Sequence, residues 1–308
     1  MAGYKLATYE GVQGPRAGAV INDLVYDVAA LTGQPKYASV LDVLADWDTA
    51  HKLLDAAAKA PKGDGKPVKQ TKLLAPVRWP GTIYCAGANY QDHAEEMWKA
   101  AGQPPQPDPH ELGLKPWFFI KAARSVTDPD AKVSISNYSK KMDWEAELAV
   151  VIGRRAKHVS KADALEYVAG YSAINDISLR GPHRVAHPIG EPFQWDWLAS
   201  KGSDRSTPLG PGIRPAFQVA NPQLLDLRLW VNGRLKQEAN TSDMVIDVAG
   251  LIAAASHLVT LEPGDVIATG TPDGVGLPRG EFLHPGDVVE MEVGDFGRLT
   301  NPVVVEEA

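Results

Sequence analysis

The sequence predicts an α+β fold that is mainly β, and three features of the chain support this prediction. Stretches in which apolar and polar residues alternate recur from YKLATYE near the first residue to VVEMEVG near the last, a pattern typical of half-buried strands. The tetrapeptide Pro-Gly-Asp-Val occurs twice, at 263–266 and 285–288, each time before a strand-like stretch. Such turns leading into alternating residues indicate β-structure. Only a few segments show the apolar spacing of a helix.

Residues 1–72 are predicted to form a small N-terminal α+β domain. The stretches YKLATYE, AGAVI and LVYDV indicate strands, and apolar residues at helical spacing predict a helix from about residue 41 to residue 60. The stretch PKGDGKPVKQ, residues 61–70, is rich in Lys, Gly and Pro and indicates an exposed linker. We therefore place a domain boundary here and assign residues 73–308 to the main body.

The main body begins with a predicted strand, TIYCAGANY, and a polar helix, QDHAEEMWKAAG. The next segment, 103–116, contains five prolines, which exclude a regular helix or a central strand. Further strands are predicted at WFFIKAA, ELAVVIG and YSAINDISLRG. Between the last two, a helix is predicted at 160–169, because Ser160 and Asp163 resemble a helix cap. A second helix is predicted from Asp243 to Leu261, and the C-terminal part is predicted to be rich in strands.

Composition excludes several classes of protein. The chain of 308 residues has a net charge of −7, which would repel nucleic acids and anionic membranes, so neither is an expected partner. No apolar run is long enough to cross a bilayer, and the first residues lack the apolar core of a signal peptide. The single cysteine, Cys85, excludes an internal disulfide framework and a cysteine-based metal site, and it fits a reducing compartment. These features predict a soluble, cytoplasmic, enzyme-sized protein.

The stretch DWEAEL, residues 143–148, places two glutamates on one side of a predicted strand. Because side chains alternate along a strand, Glu145 and Glu147 face the same way, with Cα atoms about 6.6 Å apart. Ala149 and Val151 continue this face, so two like charges would have apolar neighbours. A divalent cation would neutralise both charges and coordinate their oxygens. The alternative is a solvated sheet surface, and the local pattern leaves both interpretations open.

A third acid, Asp176, lies 31 residues beyond Glu145, at the end of the second predicted strand. The predicted order of strand, helix and strand commonly returns the second strand beside the first. Three carboxylates without a cysteine suit a hard cation such as Mg²⁺ or Mn²⁺, with coordination positions left for water and substrate. Glu145, Glu147 and Asp176 are therefore candidate metal ligands.

His93 and Glu96, in YQDHAEEMW, form a second candidate pair. At positions i and i+3 of a helix they share a face and can hydrogen-bond. A carboxylate on one imidazole nitrogen fixes the tautomer and makes the other nitrogen a better base. Glu95 would point elsewhere. Taken by itself, this spacing is more often found on a surface helix with incidental charges.

Several stretches, in this order along the chain, resemble the fumarylacetoacetate hydrolase (FAH) family. They are NYQDHAEEM, DWEAELAVVIG, GYSAINDISLRG, LASKGSDRSTPLGP and GDVIATGTPDGVG. The resemblance extends from about Arg78 to Val304. It implies a mixed β-roll or sandwich-like catalytic domain at 73–308, a small N-terminal domain and a homodimer. It also implies that the three acids bind Mg²⁺ or Mn²⁺ and that the substrate is a small dioxo or keto acid.

The resemblance further implies roles for individual residues. His93, oriented by Glu96, would activate a water molecule. Lys201 would contact a substrate oxygen as a compact point charge, and Thr271 would offer its hydroxyl or its backbone N–H to the substrate carboxylate. The implied substrate-binding residues are Tyr90, Arg180, His183, Gln194 and Thr271.

The chain departs from the common family pattern immediately after Arg180. Many members continue as Arg-Asp-x-Gln, whereas Gly-Pro-His follows Arg180 here. His183 would then replace a glutamine that contacts the substrate, or Gln194 would take over that role. The proline-rich segment 103–116 is a further elaboration next to the predicted lid. These differences leave the identity of the substrate open.

The predicted reaction is hydrolysis of a carbon–carbon bond in a 2,4-dioxo acid, such as an acylpyruvate or fumarylpyruvate. Water activated by His93 would attack the C4 carbonyl, and cleavage of C3–C4 would release a pyruvate enolate stabilised by the metal and Lys201. Decarboxylation of oxaloacetate or another β-keto acid, and tautomerisation or dehydration of a 2-oxo acid, share this intermediate and are the alternatives. A metal-binding regulatory protein without catalysis is an alternative of another class.

Overall fold

The structure, a computed structural model, describes residues 3–104, 107 and 113–305. Half of the proline-rich segment 103–116, residues 105, 106 and 108–112, lies outside the described residues. The strands are β1 Lys5–Gly11, β2 Gly14–Ile21, β3 Leu24–Asp27, β4 Lys66–Pro67, β5 Leu73–Leu74, β6 Ile83–Gly87, β7 Trp117–Lys121, β8 Val126–Thr127, β9 Val133–Ile135, β10 Met142–Asp143, β11 Ala146–Ile152, β12 Val168–Asn175, β13 Ser178–Leu179, β14 Thr207–Pro215, β15 Asp226–Val231, β16 Arg234–Asn240, β17 Val266–Ala268, β18 Val288–Val293 and β19 Arg298–Val305.

The helices are short in comparison with the sheets. Among the described residues, none is long and apolar enough to span a bilayer. The α-helices are α1 Val28–Thr32, α2 Val40–Ala45, α3 Trp47–Lys59, α4 Gln91–Ala100, α5 Trp197–Lys201 and α6 Val248–Leu258. The 3₁₀ turns are Val68–Gln70, Ala123–Ser125, Ala164–Tyr167, Glu191–Phe193, Ala216–Gln218, Thr241–Asp243 and Leu277–Arg279.

One large mixed sheet organises the described part of the chain. Its strand order is β4-β3-β2-β1-β14-β12-β11-β17-β6-β7, with β5 beside β1 and β8 beside β14. A second sheet has the order β16-β15-β18-β19-β9, and β10 pairs with β13. The α+β, mainly β fold class is confirmed.

Strand β11 lies inside the large sheet and is buried on both faces. Leu148 and Val150 belong to the apolar core shared with the second sheet. Ala149 and Val151 belong to a separate core on the opposite face, shared with helices α2 and α3. The predicted alternation of faces is confirmed. The alternative of a solvated sheet surface is wrong, because this strand has no solvent-exposed face.

The N-terminal strands continue the sheet of the main body. Strand β1 pairs antiparallel with β14, with Leu6 opposite Ile213. The core beneath them includes Val43 from the first 72 residues together with Ile83 and Ala268 from the rest of the chain. The division of the chain into domains 1–72 and 73–308 stays a prediction.

Two predicted helices exist but have different bounds. The helix predicted at 41–60 is divided into α2 and α3 at Asp46, whose φ of −122° and ψ of 38° are not helical. The helix predicted from Asp243 begins only at Val248. Asp247 caps it there by accepting a hydrogen bond from the N–H of Gly250 at 2.8 Å.

The helix predicted at 160–169 is wrong. Ser160 and Asp163 do form the expected cap, since the Ser160 hydroxyl donates to Asp163 Oδ2 at 2.7 Å. Only the 3₁₀ turn Ala164–Tyr167 follows, and β12 begins at Val168. Pairing of β12 with both β11 and β14 buries the whole strand, and this tertiary burial overrides the local helical preference. Strand β12 nevertheless lies beside β11, as predicted, in antiparallel orientation.

Candidate metal centre and active site

Three carboxylates meet where β11 begins and β12 ends. Glu145 directly precedes β11, Glu147 is the second residue of that strand, and Asp176 directly follows β12. The register places Ala146 opposite Asn175, and the Asp176 N–H donates to the Glu145 carbonyl at 2.9 Å. One oxygen of each of the three side chains lies within 4.8 Å of the others, and all three residues are buried. The structure therefore brings together the three predicted metal ligands.

Two lysines contact this triad of acids. Lys201 Nζ donates to Glu145 Oε2 and to Asp176 Oδ2, both at 2.7 Å. Burial acts against its charge, but Asp176 and Glu145 raise the pKa of Lys201 overall. Lys121 Nζ donates to Asp176 Oδ1 at 2.7 Å from the opposite side. Sequence analysis missed Lys121, and the available signal was a lone buried lysine at the end of the apolar WFFIK strand.

Arg180 joins the triad to a fourth acid. Its Nη2 donates to Glu145 Oε1 at 2.7 Å, and its Nε donates to Asp143 Oδ2 at 2.8 Å. Asp143 also accepts hydrogen bonds from the N–H groups of Gly276 and Leu277. Arg180 lines the cavity as predicted, but much of its donor capacity is used on acids of the chain itself.

Glu147 is the least compensated acid of the triad. Its Oε2 accepts a hydrogen bond from the N–H of Gly270 at 2.7 Å, but no Lys or Arg in the described residues forms an ion pair with it. Burial first, and then the charges of Asp176 and Glu145, raise the pKa of Glu147 well above its ordinary value. For Glu145, burial raises the pKa, but Lys201 and Arg180 lower it more, and the net shift is downwards.

The residues present fit a hard divalent cation. Three buried carboxylates converge, and one of them has no cationic partner, which is a costly arrangement without an added positive charge. An ionised carboxylate oxygen keeps lone pairs after accepting one hydrogen bond. The oxygen-only donor set suits Mg²⁺ or Mn²⁺ better than a thiophilic metal.

The predicted His93–Glu96 pair is present on helix α4. His93 Nδ1 lies 3.2 Å from Glu96 Oε1, and the same oxygen accepts a hydrogen bond from the N–H of Gly274 at 3.1 Å. His93 is buried and lines the same cavity as the triad. Glu95 points elsewhere, as predicted, and accepts a hydrogen bond from Gln91. The pair therefore faces the acids and is anchored to the loop that follows β17.

Asn89 holds the start of helix α4 against the body of the protein. Its Nδ2 donates to the carbonyls of Ile246 and Thr269 at 3.0 and 2.8 Å, and its Oδ1 accepts from the Ile246 N–H at 2.9 Å. Gly270 permits this approach, since its φ is +94° and a Cβ there would lie 2.7 Å from the Asn89 Cβ. The position of His93 is thus determined by contacts outside its own helix.

The triad and His93 share one cavity of about 230 Å³, and Glu96 does not line it. We call its charged side the floor, and the other walls are apolar and aromatic. The floor consists of Glu145, Glu147, Asp176, Arg180 and Lys201. Thr271 also lines the cavity, but the hydroxyl donates to the Ala146 carbonyl at 2.9 Å and accepts from Gln237 at 2.9 Å. The hydroxyl of Thr271 is therefore already used within the chain, and the predicted contact of Thr271 with a substrate carboxylate stays a prediction. The apolar lining residues are Ala86, Ala94, Met97, Trp98, Trp117, Phe119 and Trp197.

Three predicted substrate-binding residues lie outside the wall of this cavity. Tyr90 is buried at the start of α4, and its hydroxyl bonds to no described residue. Gln194 and His183 line a neighbouring surface groove, which shares Arg180 with the cavity. The His183 ring stacks on the rings of Trp195 and Trp197, with centroid distances of 5.8 and 6.1 Å. The predicted contacts of Tyr90, His183 and Gln194 with substrate stay predictions.

Comparison with known proteins identifies the class to which this fold and site belong. Residues 82–304 match the family described as fumarylacetoacetate (FAA) hydrolase C-terminal. The chain belongs to the FAH family, as the resemblance implied. The cavity floor is built entirely from residues within the matched range.

Individual relatives are named as a tautomerase, an isomerase/decarboxylase and a hydrolase. A Xenopus laevis protein named oxaloacetate tautomerase fahd2, mitochondrial, is 41% identical over 234 residues, or 75% of this chain and 68% of the relative. A bifunctional isomerase/decarboxylase of 4-hydroxyphenylacetate degradation from Salmonella dublin is 40% identical over 75% of this chain and 49% of its own length. A maleylpyruvate hydrolase from Sphingobium sp. SYK-6, solved with manganese(II) and pyruvate, has a TM-score of 0.75 and 31% identity over 98% of this chain and 100% of that structure.

Proposed function

We propose that this chain is a Mg²⁺- or Mn²⁺-dependent hydrolase that cleaves the C3–C4 bond of a 2,4-dioxo acid. The observation that supports this reaction is the position of His93, which contacts Glu96 and lines the cavity that also contains the acid triad. Hydrolysis requires a base that removes a proton from the attacking water. Decarboxylation requires no attacking water.

Glu145, Glu147 and Asp176 would hold the ion. When bound, a divalent cation supplies Lewis-acid stabilisation of negative charge on the substrate oxygens. The Sphingobium hydrolase, which was solved with manganese(II) and pyruvate, supports both this type of ion and a pyruvate-type product.

His93 and Glu96 would move the protons of the reaction. With Glu96 ionised, His93 Nδ1–H donates to Glu96 Oε1, so the lone pair is on Nε2. Nε2 takes a proton from water as the water oxygen bonds to C4. The C3–C4 bond then breaks, its electron pair goes to C3 to give the enolate of pyruvate, and C4 leaves as a carboxylic acid. The proton held on Nε2 returns to C3 to complete pyruvate. Lys201 keeps a positive charge beside the developing enolate.

Tautomerisation of a 2-oxo acid is the second candidate function. The observation that favours it is the 41% identity to a protein named oxaloacetate tautomerase. In that reaction His93 would transfer a proton between carbon and oxygen of the substrate, and no carbon–carbon bond would break. The two candidates use the same cavity floor and differ in whether water is a reactant.

A substrate screen separates these functions. Purified protein is incubated with acylpyruvates and with oxaloacetate, with Mg²⁺, Mn²⁺ or EDTA, and pyruvate release and enol–keto absorbance are followed. We expect acylpyruvates to yield pyruvate and a carboxylic acid, EDTA to abolish this, and His93→Ala to reduce turnover by about a hundredfold or more with Mn²⁺ binding retained. Enol–keto conversion of oxaloacetate without acylpyruvate cleavage would establish the second candidate instead. Consumption of neither substrate would favour a regulatory protein.

A further inference from the structure

One face of strand β7 leads from the acid triad to the mouth of the cavity. Side chains alternate along a strand, so Trp117, Phe119 and Lys121 point the same way, and they extend over about 13 Å. Lys121 contacts Asp176 at the inner end. Phe119 follows, with its ring centroid 5.2 Å from Lys201 Nζ. Trp117 is at the outer end, and 47% of it is exposed.

Helix α5 adds a third ring to this face. Trp197 lies with its ring centroid 4.9 Å from that of Trp117 and 5.7 Å from that of Phe119. Lys201, four residues later in the same helix, bonds to the triad. We call Trp117, Phe119 and Trp197 the aromatic wall. It begins directly beside the charged floor, so a ligand held by the floor extends along it.

Gly87 determines how Trp117 lies. The two residues are paired across β6 and β7. A Cβ at position 87 would lie 2.3 Å from Trp117 Cε3 and 2.5 Å from Cζ3. The indole therefore packs directly against the glycine, in space that a side chain at position 87 would occupy, and both residues line the cavity. A flat aromatic surface of this kind stacks well on a planar apolar group.

The described cavity wall has no spare cation for a distal carboxylate. Its two cations are Arg180 and Lys201, and each already forms an ion pair with Glu145 at 2.7 Å. A second carboxylate on the ligand, placed against Phe119 and the inner part of the aromatic wall, would lose hydration without gaining a cationic partner. The wall therefore disfavours a diacid.

We propose that this site selects monocarboxylic 2,4-dioxo acids whose distal acyl group is apolar and planar, namely aroylpyruvates rather than diacids. The reaction named here rests on the proposed function. The binding preference rests on the aromatic wall and on the pairing of both cavity cations with Glu145, so the two proposals can fail separately.

Calorimetric titration of the Mg²⁺-loaded protein tests the binding preference without catalysis. The probes are phenylpyruvate, an aryl monoacid, 2-oxoglutarate, a diacid, and pyruvate, which has no distal group. We expect phenylpyruvate to bind at least about tenfold more tightly than 2-oxoglutarate. Equal or tighter binding of 2-oxoglutarate would overturn the proposal.

Variants of β7 test the role of the wall. Trp117→Ala should weaken phenylpyruvate binding by roughly tenfold and pyruvate binding by less than about twofold, while Trp117→Phe should retain most of the affinity for phenylpyruvate. Ile120→Ala is the matched control, because Ile120 is on the opposite face of the same strand and 64% exposed, and it should change neither affinity. An equal loss of both ligands in Trp117→Ala would show a general structural role and contradict the wall.

Kinetics with 2,4-dioxo-4-phenylbutanoate and fumarylpyruvate then separate the two proposals. A higher kcat/KM for the phenyl compound supports both. Selective binding of phenylpyruvate with no cleavage of either compound would refute the proposed hydrolysis but support the proposed binding preference. Faster cleavage of fumarylpyruvate would refute the binding preference but support hydrolysis.

Discussion

The floor and the aromatic wall of the cavity differ in how deeply they are buried and in where they lie in the large sheet. The floor lies at the ends of β11 and β12, inside the large sheet, and its charged groups are buried and joined by contacts of 2.7–2.8 Å. The wall lies on β7, the last strand in the order of that sheet, and on the short helix α5, and it consists of partly exposed rings.

This difference separates reaction type from substrate choice. Groups in the interior of a sheet are constrained on every side, so the floor can hold a demanding arrangement of charges in one geometry. A strand at the sheet margin can change its outer side chains at little cost to the core. We infer that the floor supports the chemistry that FAH-family members share and that the wall adapts this member to its substrate. The predictions below test this separation.

The largest effect is expected from removing the uncompensated acid of the floor. Glu147→Gln should reduce Mn²⁺ affinity by at least about a hundredfold. Losing a residue that only orients a metal ligand costs about tenfold to a hundredfold, and Glu147 is itself a predicted ligand. Calorimetry or electron paramagnetic resonance would measure this. Glu95→Gln, on the exposed face of α4, is the control. Unchanged Mn²⁺ binding in Glu147→Gln would remove the metal site from the floor.

The metal-free protein should lose stability as pH rises. The folded-state pKa of Glu147 is raised, so between its unfolded and folded pKa values the folded state binds more protons. Stability is then fully present below the unfolded pKa and falls with rising pH, by at most about 1.4 kcal/mol per pH unit from this one group. Urea unfolding from pH 4.5 upwards, without and with Mg²⁺, would show the fall and its reversal. Glu147→Gln should abolish the part of this fall that comes from Glu147. An equally steep fall of the unfolding free energy in the variant would show that Glu147 is not its cause.

The His–Glu pair should show a smaller, kinetic effect. Glu96→Gln keeps the shape of the side chain but removes the charge that orients His93 and strengthens it as a base. We expect turnover to fall by about tenfold, because the imidazole loses the partner that fixes its tautomer and orientation. Substrate affinity should change little. Steady-state kinetics would measure both, with Glu95→Gln again as the matched control. Unchanged kcat in Glu96→Gln would mean that the carboxylate does not act through His93.

The wall should respond selectively to a change at Gly87. Gly87→Ala pushes the Trp117 indole away from the position it occupies against the glycine. Because the indole is half-exposed, it can move without disturbing the core. We expect KM for an aryl substrate to rise by about threefold to tenfold, with kcat and Mn²⁺ affinity nearly unchanged. A loss of kcat with unchanged KM would show that floor and wall are not separable.

The smallest effect is expected far from the cavity, at Asp27. Its carboxylate accepts hydrogen bonds from Arg16, from Tyr9 and from the N–H of Ala30. Burial raises the pKa of Asp27, but these bonds lower it more, so the net shift is downwards. Its stabilisation is therefore present above the unfolded pKa and is lost as pH falls through the folded pKa. Asp27→Asn should cost about 1 kcal/mol of unfolding free energy at neutral pH, with activity unchanged.

Several predictions stay untested by the structure. A homodimer and a cytoplasmic location are among them, and the name of the Xenopus laevis relative includes the word mitochondrial. The preference for Mg²⁺ or Mn²⁺ is likewise open to measurement. The titrations above, performed with each ion, would establish that preference.

Local periodicity explains which site residues were predictable. The period of two along β11 places Glu145 and Glu147 together, and the helical spacing on α4 pairs His93 with Glu96. Both relations depend on a few neighbouring residues. The helix predicted at 160–169 failed because Val168–Asn175 is buried between two strands, and this pairing is not visible in the local pattern.

The sequence by itself determined the strand-rich fold class, the common face of Glu145 and Glu147 and the i, i+3 spacing of His93 and Glu96, because each follows from backbone geometry over short stretches. Asp176, 31 residues beyond Glu145, was predicted from the order of elements, and the functional interpretation of these residues came from the family resemblance. Only the tertiary structure decided that Lys121 would neutralise Asp176 from 55 residues away and that Arg180 would link Asp143 to Glu145. It also decided that Trp197 would join Trp117 and Phe119. Such contacts form between segments distant in the chain, and the energy of burying charges and rings together selects them only when the whole sheet is in place.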